Sequence, residues 1–388
     1  MNRLHPLAGH VEARRALFRA HTSAGLPASL LIHGIRGIGK RRLALWMAQL
    51  QVCEAPGSDG PCGDCRPCRM ALGLEHPDIH LYFPVTRPRG VSGDRLMDAL
   101  ESVRIDALDD LRTHPLRPSS SDESRGLYLG TVRNIRRRCH APPNMAPVQV
   151  FIVADAEYLV PQEASQEAAN ALLKLLEEPP PATRFILTSS EPGRLLPTIR
   201  SRSVPLHLAR MEADEVSAFL QHHRQVDPEV AARAARLGQG SIGRALGFLP
   251  DEGEPGPFEA RRRDGFELVK AALSRHRSDG YAVALGLPPA GARKLVELFA
   301  HVEDWLRDLA AVAAGAEERV VSQDALSQLR ALARDSGVTP AGLAAGLPAV
   351  EEARELARGN VNPQLVVSGL MSRLRQTVLP ATPRASAP

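Results

Sequence analysis

The segment Gly34-Ile35-Arg36-Gly37-Ile38-Gly39-Lys40-Arg41 has the glycine spacing and terminal lysine of a phosphate-binding loop, and it follows the apolar run Ser29–His33. In such a loop the glycines let backbone N–H groups cradle phosphates, the lysine neutralises them, and a Ser or Thr hydroxyl beside the lysine ligates Mg²⁺. Gly34, Gly37, Gly39 and Lys40 are the candidate nucleotide-binding residues, and Arg41 stands where the hydroxyl belongs. A guanidinium carries donors only and cannot ligate a cation. Anion binding by glycines and a helix N-terminus survives that change, whereas metal-assisted hydrolysis does not. The residues alone leave ATP or ADP binding doubtful.

Cys53, Cys62, Cys65 and Cys68 are spaced C-x₈-C-x₂-C-x₂-C around a Pro-, Gly- and Asp-rich stretch. Four thiolates in turn-forming sequence can close a tetrahedron around Zn²⁺ without help from a distant segment. A polar loop offers no core in which to bury four unrelated thiols. With sulfur at all four positions no site is left for water, so the expected role is structural. Cys139 lies apart in a helical pattern and reads as a small core residue.

Arg133, Arg136, Arg137 and His140 recur at i, i+3, i+4 and i+7, while Val132 and Ile135 point elsewhere. A solvated face and a phosphate-tracking face both fit that stripe, and a DNA contact there would be salt-dependent and blind to sequence.

These groups need elements to carry them. Ser29–His33, 148–154 and 184–188 read as strands, and 40–53 as an amphipathic helix leaving the loop. Alternation of this kind implies a parallel sheet flanked by helices. From about Met211 strand signals stop. Short helical patterns at 213–223, 228–237 and 241–248 suggest a lid, and after a Pro/Gly-rich linker at 250–257 the patterns at 258–275, 290–314, 322–333 and 341–379 are helical. The stretch 86–125 reads as an insertion, part helix and part loop, without an assigned role. The tail from Pro380 is expected to be disordered.

At 388 residues two or three domains are expected, and sparse aromatics with abundant Ala, Leu and Arg favour helices. A net charge of +4 neither demands nor excludes nucleic acid. Met1–His10 mixes charge and proline, and no apolar run approaches membrane-spanning length. A cytoplasmic protein without a membrane partner is expected, and the clustered cysteines then favour a metal over disulfides.

The residues 148–157 (Val-Gln-Val-Phe-Ile-Val-Ala-Asp-Ala-Glu), 168–180 (Ala-Ala-Asn-Ala-Leu-Leu-Lys-Leu-Leu-Glu-Glu-Pro-Pro), 185–190 and 195–203 follow the zinc-type loop in order. Together they resemble the bacterial DNA polymerase III clamp-loader family of AAA+ proteins, and the helical end adds the collar-like signature at 359–365. The resemblance implies an α/β AAA+ parallel-sheet P-loop domain with an inserted zinc-binding loop, then a small helical lid domain and an all-α collar domain. The boundaries it suggests are 1–209 (zinc module 53–68, insertion 86–125), 210–255, 256–379 and a tail at 380–388.

In that family the motor subunits carry an acidic pair after the central strand, and here its Mg²⁺-associated position reads Ala154, with Asp155 second. The expected lid arginine aligns with Gly243, leaving Arg244 as the alternative. Arg202 survives intact in Ser201-Arg202-Ser203, which resembles the motif such subunits present to a neighbour's ATP, with Ser203 replacing the usual cysteine. Lys174, Glu177 and Glu178 read as an ordinary solvated helix end. The combination implies a non-catalytic stator without intrinsic ATPase, part of a DNA polymerase III holoenzyme, supplying Arg202 in trans. Implied partners are the motor (gamma/tau) subunits and a delta subunit in a hetero-pentamer, and, through it, the sliding clamp and primed DNA. The alternative is a catalytically active motor subunit. A stand-alone zinc-dependent nucleic-acid binder is disfavoured by modest charge and few aromatics.

Overall fold

The computed structural model describes residues 4–5, 7–23, 25–117, 125–159, 166–250, 253–274, 276–288, 291, 294–359 and 361–379. The expected tail, most of the polar run 118–125 and residue 360 of the collar signature lie outside them.

Five strands form one parallel sheet: β1 (Ser29–His33), β2 (Ile79–Tyr82), β3 (Gln149–Val153), β4 (Thr183–Ser189) and β5 (Val204–His207), in the order β2-β3-β4-β1-β5. Every pairing within this sheet is parallel, with Leu31 opposite Leu187 and Phe151 opposite Phe185. β3 is buried at every position, the continuous apolar run that a doubly covered parallel strand requires. Leu31, Phe151, Val153, Phe185 and Leu187 pack with the helices Leu129–Cys139 and Glu167–Glu177. The helix Lys40–Val52 buries Leu43, Met47 and Leu50 on the sheet. β2 and β5 escape the sequence signal because both are short edges, one broken by His80 and the other by Pro205, a residue confined to edges by its missing N–H.

The inserted stretch is chiefly one helix, Asp94–Thr113, which packs on Leu129–Cys139 and buries Leu100 and Leu108. Arg104 lies 4.9 Å over the Tyr82 ring and donates to Leu81 O, and Arg138 bridges Glu101 and Asn134. The insertion therefore braces the basic helix.

Asp78, wholly buried before β2, fixes the loop between that helix and β3. Its carboxylate accepts from the backbone N–H groups of Asn144, Met145 and Ala146 at 2.6, 2.8 and 2.9 Å. Burial pushes its pKa up, but these donors outweigh it and hold the carboxyl below its ordinary range. Asp78→Asn should lower unfolding free energy by about 2 kcal/mol in a denaturant titration, since the amide leaves buried N–H groups underpaired. Because the folded-state pKa is depressed, this contribution is present above the unfolded carboxyl pKa and fades as pH falls through the lower folded value.

The chain divides into two compact units, the first ending at Leu246 and the second starting at Gly247. The lid helices Ala213–Arg224, Pro228–Gly238 and Ile242–Leu246 cluster with the sheet unit, because the last of them packs directly on the phosphate-type loop. In the second unit, helices Pro257–Leu273, Leu295–Ala313, Pro340–Arg358 and Pro363–Val378 enclose Phe299, Val302, Trp305, Val350 and Leu370. Arg262 is buried there, paired bidentately with Asp324 at 3.0 and 2.7 Å and stacked on Trp305. The single helical pattern expected over 341–379 is two helices, the second started by Asn362, whose side chain caps Gln364 N, and by Pro363. No helix among the described residues is long and apolar enough to cross a membrane.

Candidate nucleotide loop, cysteine cluster and arginine surface

The loop residues meet where the C-terminal ends of β1, β3 and β4 converge, the usual ligand edge of an open parallel sheet. Gly34, Gly37 and Gly39 have φ of +153°, +76° and +109°, the last two in the left-handed range that glycine enters without strain. Lys40 is buried, and its Nζ donates to Gly34 O, Ile35 O and Ser190 Oγ at 3.0, 2.9 and 2.8 Å. An ammonium has three protons, and all three are committed within the chain. Burial lowers its pKa, against the raising fields of Asp155 and Glu157.

Arg41 Nη2 lies 3.2 Å from Asp155 Oδ2, and the guanidinium stands 5.3 Å over Phe83. An internal cation thus pairs with the carboxylate that would face the metal region. Ala154 is fully buried and offers no ligand. The segment around the helix Ile242–Leu246 closes the other side: Ser241 Oγ donates to Arg36 O at 2.8 Å and Gly243 N to Gly37 O at 2.9 Å. A Cβ on Gly243 would stand 2.8 Å from Gly37 Cα, so the backbones meet where an arginine side chain would have to leave. His10 Nε2 lies 2.7 Å from Ile38 O.

Glu157 and Ser190 join this candidate site without a sequence pattern to mark them. Glu157 is buried, its Oε1 accepts from Ser190 N at 2.9 Å, and burial followed by the Asp155 charge raises its pKa. Both sit inside the motif segments, but only the fold places them beside Lys40.

The four cysteine sulfurs converge, all within 4.8 Å of one another. Cys53–Cys62 and Cys62–Cys68 sulfur separations are 3.6 and 3.9 Å, bracketing the roughly 3.8 Å edge of a tetrahedron built on Zn–S bonds of about 2.3 Å. Cys53 leaves the helix Lys40–Val52 in extended conformation, and Cys65 and Cys68 flank the start of the helix Arg66–Leu72. Cys62 N and Cys65 N donate to the sulfurs of Cys53 and Cys62. The N–H groups of Cys65 and Asp64 draw the Cys62 thiol down to about 7, while burial pushes Cys53 and Cys68 up. The donor set and spacing fit a tetrahedral thiophilic ion. Cys139 is buried outside the cluster.

Arg202 caps the five-residue helix Pro197–Ser201. It is 57% exposed at the side chain, and its ion pair is with Glu177, Nη2 to Oε1 at 3.7 Å. Ser203 is buried and donates Oγ to Ile199 O, so serine there serves local packing. Arg133, Arg136, Arg137 and His140 are all exposed, with Val132 and Ile135 buried beneath them. The structure therefore brings Gly34, Gly37, Gly39 and Lys40 into one closed knot, and leaves Arg202 and the basic stripe presented outward.

A family model described as DNA polymerase III, delta subunit, matches residues 9–212. The chain is 28% identical over 221 residues to the DNA polymerase III subunit delta' of Escherichia coli K12, covering 57% of this chain and 54% of that protein. It is 35% identical over 175 residues to the delta' subunit of Pseudomonas aeruginosa, covering 45% and 40%. To the delta' subunit of Bacillus subtilis it is 24% identical over 384 residues, 96% of each chain. The matched stretch thus spans about half the length of the first relative, two fifths of the second and nearly all of the third.

Proposed function

The chain belongs to the DNA polymerase III delta-subunit family, and we propose that it is the delta' member of a clamp loader: a non-catalytic stator that lends Arg202 to the ATP site of a neighbouring motor subunit. The observation that carries this reading is the contrast between the two ends of the chemistry. The chain's own phosphate loop is closed on itself by Lys40, by the Arg41–Asp155 pair and by the lid backbone, while Arg202 is exposed at the end of a short helix. Phosphoryl transfer needs Mg²⁺ to neutralise developing charge, and neither Arg41 nor Ala154 can hold it. In this reading the helical segment 256–379 is the collar through which the subunit joins gamma/tau and delta subunits, in the cytoplasm, with a lid at 210–255. The exposed Arg133, Arg136 and Arg137 face primed DNA inside the assembly.

Membership is tested by reconstitution. The purified chain mixed with the gamma/tau and delta proteins of its own organism should elute as one complex that loads clamp onto primed DNA, and omission of this chain should abolish loading. A complex that forms and loads equally well without it would overturn the reading.

The cysteine cluster holds a structural Zn²⁺ in the same account. Elemental analysis of chelator-free protein should give one zinc per chain, and Cys62→Ser with Cys65→Ser should release it while leaving the sheet unit's cooperative unfolding in place. Protein purified metal-free, or full zinc in the double variant, would contradict it.

A further inference from the structure

We infer that Glu177 is a positioning residue for Arg202, holding the guanidinium outward until a neighbour's phosphate takes it over; this rests on the trans role proposed above for Arg202. The placement follows from the sequence. Pro179 bars Glu178 from helical conformation, so Glu178 leaves the helix at φ −129°, ψ 72°, and Glu177 is the last residue of the helix Glu167–Glu177. Pro197 starts the helix that ends at Ser201, and Arg202 follows as its cap. The two helices share one core, in which Leu172, Leu176, Leu195 and Ile199 are buried. Neither end can drift without breaking that packing. The acid and the base are thus delivered to each other by rigid elements, on a surface where both remain exposed, 57% for Arg202 and 41% for Glu177.

Magnitude decides the sign of the effect. An exposed pair of this kind changes a population by only about two- to fivefold, enough to favour one family of arginine rotamers and too little to resist a triphosphate. An arginine loses much rotamer freedom on docking, so a partner that restricts it beforehand should speed the step that uses it. Burial or a short bidentate geometry would have meant the opposite, an arginine withheld.

The test uses the reconstituted assembly with clamp and primed DNA. Glu177→Gln keeps the shape and removes the charge. It should lower the single-turnover rate of ATP hydrolysis at the site that Arg202 faces by about two- to fivefold, with ATP affinity within roughly twofold and the melting temperature of the subunit unchanged. Glu177→Asp should recover part of the loss. In the Arg202→Ala background the same change should have no further effect, which a merely structural contribution of Glu177 would not obey. Equal or faster turnover in Glu177→Gln, or a loss that persists in the Arg202→Ala background, would overturn the positioning role while leaving the trans role intact. No loss in Arg202→Ala itself would overturn both.

Discussion

On the proposed trans role, Arg202→Ala in this subunit is expected to leave the clamp loader assembled and to slow clamp- and DNA-stimulated ATP turnover at the neighbouring site. An arginine supplied to a transferring phosphoryl group is worth about 10³ to 10⁵ in rate where it acts, through fixed planar donors that a lysine cannot reproduce. Other motor sites in the complex keep their own machinery, so total turnover should fall by the share of the affected site and clamp loading should slow without stopping. Single-turnover hydrolysis in the reconstituted complex reads the effect. Arg202 is exposed and its ion pair with Glu177 is a surface one, so the free subunit should keep its stability within about 0.5 kcal/mol. Normal turnover in a properly assembled variant would contradict the finger role, and failure to assemble would assign Arg202 to the interface instead.

Gly243→Arg, which restores the side chain expected of a motor subunit, should destabilise the chain and confer no hydrolysis. The added Cβ would meet Gly37 Cα at 2.8 Å, and Gly37 itself sits at φ +76° with Ser241 Oγ 2.5 Å from where its own Cβ would be. The nearest atoms to that Cβ are all Gly37 backbone, so no flexible side-chain end can move aside. Overpacking of this sort typically costs about 1 to 3 kcal/mol, visible as a lower denaturant midpoint at unchanged slope. A variant as stable as the parent would mean that the lid separates readily from the loop, and with it the closed-site account would weaken.

The sequence is most legible where chemistry and periodicity coincide. Ser29–His33, the run after the loop and the helix Ala213–Arg224 were legible because apolar spacing, glycines and caps agree there. The inward turn of Val132 and Ile135 beneath Arg133, Arg136 and Arg137 followed from helical spacing alone. The cysteine cluster was legible because all four of its thiols are local. The edge strands β2 and β5 were not, since their residues carry weak or contrary strand signals, and the helix Arg277–Leu285 has little amphipathic contrast. Nor could spacing show that Lys40 is captured by Ser190, 150 positions away, or that Gly243 touches Gly37. Those contacts depend on parallel strand register and on lid docking, which no local pattern encodes.

The closed loop makes a direct claim about the chain on its own. Purified without partners and incubated with Mg²⁺ and ATP, it should release phosphate no faster than a Lys40→Ala control, because Arg41 pairs with Asp155 where a metal would be needed and Ala154 supplies no carboxylate. Mg²⁺-dependent turnover by the isolated chain that disappears in Lys40→Ala would contradict the account and make this subunit a motor.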